Sequence, residues 1–142
     1  MMKNVHSYWA YLVLLILIFA VVNAIIGLVQ KKQFTDKDLR IGLFGLIVSH
    51  IQLLIGLAWY FMSPWYKALK SDAGEVMADK TARLLAVEHP IMMILAIVLI
   101  TIGWSKHKKK TESGAKFKTF AIFYGLALVL ILSRIPWSNW FS

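Results

Sequence analysis

Four long apolar runs, separated by three polar stretches, dominate the pattern along this chain. A helix needs about 20 mostly apolar residues to cross the hydrocarbon core of a bilayer. Runs from about Ser7 to Val29, Ile41 to Met62, Ala82 to Trp104 and Phe117 to Ile135 reach that length. The pattern predicts an all-α, integral membrane four-helix bundle of up-down topology, built as one transmembrane domain. The stretch between the second and third runs, about Ser63 to Thr81, is too long for a tight turn. Its Tyr66, Leu69, Ala73, Val76 and Met77 recur at roughly helical spacing, which predicts a short interfacial helix. Pro64 and Pro136 end the second and fourth runs. Pro90 stands about two turns inside the third, where its missing N–H favours a kink.

Composition narrows the class. The 142 residues are 59% hydrophobic and include no cysteine, which excludes disulfides, thiolate zinc sites and iron–sulfur clusters. The net charge of +9 does not point to nucleic acid, because the basic residues sit in short loops where topology and anionic headgroups account for them. The first run does not read as a cleaved leader. Only Lys3 precedes it, its basic cluster follows it, and no small-x-small site comes after. Lys31, Lys32, Lys37 and Arg40 fill the first loop, and Lys106, Lys108, Lys109, Lys110, Lys116 and Lys118 the third. The opposite side carries Lys3, Lys67, Lys70, Lys80, Arg83 and Arg134, diluted by Asp72, Glu75, Asp79 and Glu88. This bias predicts a multi-pass protein of the bacterial inner membrane with both termini periplasmic. Trp9, Trp59, Trp65, Trp137 and Trp140 then form an outer aromatic belt, and Trp104 marks the inner boundary.

Histidine is the main candidate for chemistry. An ionisable side chain inside hydrocarbon is a functional-site hypothesis by default, and neutral imidazole is a common ligand of metals and haem iron. His50 lies beside a stripe made by Gly42, Gly45, Ser49, Gln52 and Gly56, which suits close helix packing or the approach of a flat cofactor. His89 shares a face of the third run with Leu85, Met92 or Met93, Ala96 and Gly103. At 1.5 Å per residue His50 is about 18 Å below Met62 and His89 about 10 Å below Ala82, so the two differ in height by about 8 Å. His6 sits at the outer edge, where it pairs with His89, ligates a second group or rests among headgroups. His107, among lysines, reads as a solvated loop residue. Arg134 either meets Glu88, neutralises an acidic group such as a propionate or quinone, or snorkels to lipid phosphate. Asn23 is expected to hydrogen-bond between helices. Gln52 and Tyr124 are candidate donors to a ligand, or core residues. No phosphate-binding loop, zinc-protease motif or nucleophile elbow occurs. The deep parts of the runs hold no carboxylate, which argues against a proton pump built on a carboxylate relay.

Several motifs resemble a known group. They are His6-Ser7-Tyr8, Arg40-Ile41-Gly42-Leu43-Phe44, the run Ser49-His50-Ile51-Gln52-Leu53-Leu54-Ile55-Gly56-Leu57, Tyr60-Phe61 and Ser63-Pro64. Val87-Glu88-His89, the run from Ile97 to Gly103, and Ile135-Pro136-Trp137 complete the set. Together they cover nearly the whole chain. In them it resembles the small four-helix membrane proteins of Bacteroidota labelled cytochrome b. Trp9-Ala10-Tyr11 departs from that pattern by lacking a basic residue after the first histidine. The resemblance implies b-type haem, one-electron transfer, and His50 and His89 as ligands of the haem iron, with His6 as a third candidate. The expected function is a membrane haem protein passing electrons in or near a respiratory chain, with a quinone as companion ligand. An electron carrier or subunit fits better than a stand-alone enzyme. Arg134 and Gln52 are the further candidate cofactor-binding residues. The alternatives are an accessory subunit packed against a larger membrane complex or a second copy of itself, and a haem- or porphyrin-handling membrane enzyme.

Overall fold

The computed structural model describes residues 2–135. Pro136, Trp137 and Trp140, with the expectations placed on them, lie outside the described residues, as does the side chain of Lys3. Among the described residues the chain is helical throughout, with no strand. Helix α1 spans Met2–Val29 and α2 Asp36–Met62. Three short helices follow: α3 at Pro64–Ser71, α4 at Ala73–Ala78 and α5 at Lys80–Arg83. A π-helical turn at Leu84–Glu88 leads directly into α6 at His89–Lys108, and α7 covers Ser113–Arg134. Helix α1, helix α2, the continuous segment Lys80–Lys108 and helix α7 are each long and apolar enough to cross a membrane. The four-helix bundle expected from the apolar runs is the observed architecture.

The helices form a ring in the order α1, α2, α6, α7, with the α2–α6 contact much sparser than the other three. α1 and α6 therefore stand at opposite corners. One end of the bundle carries the start of α1 and the end of α7 and is called the terminal end below. The other carries the two lysine-rich loops and is called the basic end.

The helices outrun the predicted spans chiefly at the basic end, for a local reason. The Thr35 backbone N–H and hydroxyl both donate to Asp38 Oδ2, at 2.9 and 3.0 Å, fixing the start of α2 one turn before the apolar run begins. This is the carboxylate half of a capping box. Asn23 Nδ2 donates to the other oxygen of Asp38 at 2.8 Å, so the expected inter-helix bond of Asn23 ties α1 to this cap.

The core is thickest toward the basic end. Leu17, Ile100, Phe117, Phe120, Tyr124 and Ala127 are buried there. The small residues of α2 admit aromatic rings rather than a second backbone. A Cβ added at Gly42 would lie 2.7 Å from the Phe120 ring, and one at Gly45 3.1 Å from the Tyr124 ring. Tyr124 is fully buried and its hydroxyl donates to the Gly42 carbonyl at 2.7 Å, across the bundle. Its hydroxyl is thus spent on the core and is not a ligand donor.

His107 does not occupy a solvated loop. It lies on the last turn of α6, is 1% exposed, and its ring contacts Trp104, Phe120 and Phe34. Nδ1 donates to the Trp104 carbonyl. The surrounding lysines hide this in the sequence: Lys108 and Lys116 lie over the Trp104 and Phe34 rings, while Phe34, from the first loop, packs against the imidazole. The Phe34 N–H donates to Ser113 Oγ at 2.8 Å and holds that loop against the start of α7.

The expected interfacial helix is instead three short ones, because Asp72 and Asp79 each interrupt the chain as a new N-cap. Asp72 Oδ1 accepts from the Glu75 N–H at 3.1 Å and Asp79 Oδ1 from the Thr81 N–H at 3.0 Å. Val76, Ala82 and Ala86, with Trp65, Ala68, Leu69 and Val87 against them, form a second small core. The segment is a cap over the terminal end of α6.

Candidate functional site

Four of the five candidate residues converge at the terminal end, one from each long helix. α1 supplies His6, α2 Gln52, α6 His89 and α7 Arg134. The rings of His6 and His89 stand close together, with centroids 6.3 Å apart and planes nearly perpendicular, at 85°. Gln52 Nε2 donates to the backbone carbonyl of His6 at 2.9 Å. His89 Nδ1 lies 2.9 Å from the carbonyl of Arg134. A carbonyl only accepts, so Nδ1 carries the proton and Nε2 holds the lone pair. Metal-bound histidines show the same arrangement, in which the far ring nitrogen donates to a carbonyl and fixes tautomer and orientation.

The fifth candidate sits elsewhere. His50 Nδ1 donates to the Leu46 carbonyl at 2.7 Å, and its Nε2 is 3.3 Å from the Thr101 hydroxyl. Thr101 is twelve residues beyond His89 on α6, or roughly 18 Å along the helix. His50 and His89 therefore do not face one another, and the height difference exceeds that expected from the span boundaries. His6 is the histidine that lies beside His89.

The converging cluster is incompletely satisfied. Among the described residues, three buried side-chain atoms have no hydrogen-bond partner: His6 Nδ1, Gln52 Oε1 and Arg134 Nε. Buried polar atoms without partners cost about 1–3 kcal/mol each, so a cluster of them calls for an explanation. Gly56 leaves room at the same spot. A Cβ there would lie 3.0 Å from Cε1 of His6, tighter than ordinary contact. Arg134 does not meet Glu88. Its Nη1 donates to the Ser133 carbonyl, and Glu88 pairs instead with Arg83 at 3.1 Å. That pair is about one third exposed and sits in the cap.

Among the described residues no group of three or more His, Asp or Glu could enclose an ion. His6 and His89 would be the residues to hold a metal that brings most of its own ligands. Their centroid separation of 6.3 Å is compatible with two imidazoles sharing one metal, for which bonds of about 2 Å and about 1.1 Å from nitrogen to ring centre would require about 6 Å, provided that a nitrogen of each ring is turned to it.

Known proteins offer no match. No family model, no curated protein and no solved structure matches the chain.

Sequence reasoning named all four residues of the cluster and offered His6 with His89 only as one of several pairings. It missed Tyr60, whose hydroxyl donates to the Ala86 carbonyl at 2.6 Å next to His89. Pro90, four residues after Ala86, was the available signal. A proline removes the N–H that would otherwise serve that carbonyl.

Proposed function

We propose that this chain is a membrane b-type haem protein, with His6 and His89 as the axial pair, that passes electrons in or near a respiratory chain. The observation that carries the reading is the 6.3 Å approach of two intramembrane histidines from opposite corners of the bundle, next to three unpartnered buried polar atoms. The motif resemblance points the same way but favoured His50 as a ligand, and the geometry supports His6 in its place.

Each protein group then has a distinct task. His89 is oriented by the Arg134 carbonyl and presents Nε2. Gln52 anchors the backbone of His6. Gly56 leaves the space against the His6 ring. The Arg134 guanidinium, with Nε unpartnered, suits a propionate. A haem bound here would supply one-electron redox chemistry, and the chain would tune it by axial ligation, burial and neighbouring charge. A quinone is the redox partner that suits a haem held inside a membrane bundle. By the lysine-rich loops, the basic end faces the cytoplasm of a bacterial inner membrane and the histidine pair lies toward the periplasmic side.

A second reading, an accessory subunit, draws on a different feature. An open, wholly apolar groove of about 330 Å³ runs along α1 and α2, lined by Leu15, Ile16, Phe19, Ile41 and Phe44. It suits a helix of a larger complex or a lipid chain. A reduced-minus-oxidised absorption spectrum of the purified protein separates the two. The haem reading expects a sharp b-type α band. A protein that is folded, colourless and unable to take up added haem refutes it and leaves the accessory role.

A further inference from the structure

Pro90 is the second residue of α6, and its nitrogen carries no hydrogen. In a regular helix that nitrogen would serve the carbonyl of Ala86, four residues earlier. Ala86 is 2% exposed, so water does not readily replace the lost donor. The helix makes two adjustments here. It widens into the π-turn Leu84–Glu88, in which the His89 N–H reaches back five residues to the Leu84 carbonyl. The Tyr60 hydroxyl also comes across from α2 and donates to the Ala86 carbonyl at 2.6 Å. Single π-turns inside helices recur at functional sites, because the extra residue rotates everything after it. Here the first residue after the turn is His89.

Tyr60 has a neighbour of consequence on its own helix. Gly56 is one turn earlier, at i−4, and therefore on the same face. It abuts the His6 ring. One face of α2 thus borders the His6 ring at Gly56 and the π-turn before His89 at Tyr60.

We propose that Tyr60 is a positioning residue for His89, acting through the Ala86 carbonyl, which Pro90 has no N–H to serve. With Gly56 it makes α2 the element that sets the gap between the two imidazoles. The role as a ligand-positioning device rests on reading His89 as a haem ligand. The mechanical coupling of Tyr60 to the π-turn does not.

The test uses the full-length protein in lipid nanodiscs, as wild type, Tyr60→Phe, Pro90→Ala and the double variant. Amide exchange of residues 84–91 is measured without haem, and the absorption spectrum and reduction potential with it. Tyr60→Phe is expected to speed exchange across the π-turn about five-fold, the factor equivalent to one net hydrogen bond of ~1 kcal/mol. It is also expected to move the potential while leaving both histidines ligated. Pro90→Ala restores an N–H, so Tyr60→Phe in that background should change exchange less than about two-fold. Unchanged exchange and potential in Tyr60→Phe overturn the proposal. Equal acceleration in both backgrounds also overturns it, because Tyr60 would then act by packing against Phe61 and Tyr66 and not through the carbonyl. A colourless wild type with the non-additive exchange pattern intact sinks the haem reading and keeps the Tyr60–Pro90 coupling. A red wild type with additive variants does the reverse.

Discussion

Adding one methyl group at each of two glycines should change stability in opposite directions. Gly103 on α6 faces α7 so closely that a Cβ would lie 2.6 Å from Cβ of Phe123. That neighbour is fixed to the backbone, so relief requires α6 and α7 to separate by nearly 1 Å against an ordinary carbon contact of about 3.5 Å. These two helices share the most extensive contact in the bundle. Overpacking of this kind costs about 1–3 kcal/mol. Alanine returns about 0.5–1 kcal/mol by removing backbone freedom from the unfolded chain. The net expectation for Gly103→Ala is a loss of about 1–2 kcal/mol. At Gly125, on α7, nothing lies within 4 Å of the added Cβ, so only the backbone gain remains. Gly125→Ala should therefore stabilise by about 0.5–1 kcal/mol. Reversible unfolding in mixed micelles, followed by circular dichroism, measures both. If Gly103→Ala is as stable as Gly125→Ala, the α6–α7 contact is looser than described and the reasoning fails.

Other variants probe other parts of the account. His107→Ala should cost about 1–3 kcal/mol, by cavity and lost hydrogen bond, whereas a solvated loop residue would stay within about 0.5 kcal/mol; the same unfolding assay decides. Asp38→Ala frees Asn23 and both donors of Thr35, and should lower stability by about 1–2 kcal/mol while exposing the first loop to limited proteolysis. An uncleaved loop of unchanged stability would contradict that cap. Gly56→Ala should push the His6 ring aside by a few tenths of an ångström, given the 3.0 Å approach, and reduce haem uptake in a hemin titration with little loss of stability; unchanged uptake would show that Gly56 does not border the site.

The fold was legible because its signal is length. Four runs of apolar residues, punctuated by lysines and prolines, leave few other architectures in a bilayer. The helix ends at the basic side were less legible. They depend on the Thr35–Asp38 cap and on Phe34 covering His107, and both lie among charged residues that read as loop. The candidate site was legible by residue type. His6, Gln52, His89 and Arg134 stood out as polar groups in or beside apolar runs, and all four meet. Their pairing was not legible, because relative height depends on how far each helix overhangs its apolar run and on the π-turn before Pro90. A count of apolar residues carries neither. His50, beside a conspicuous small-residue stripe, looked like the better ligand. The stripe instead receives Phe120 and Tyr124, and His50 turns to Thr101 at the sparse α2–α6 seam.

The most direct measurement is the reduced-minus-oxidised spectrum of four purified proteins: wild type, His6→Ala, His50→Ala and His89→Ala. Ligation by the pair at 6.3 Å predicts a b-type α band in wild type and His50→Ala, and its loss or conversion to a high-spin spectrum in His6→Ala and His89→Ala. A band that survives in His6→Ala but disappears in His50→Ala would contradict the assignment.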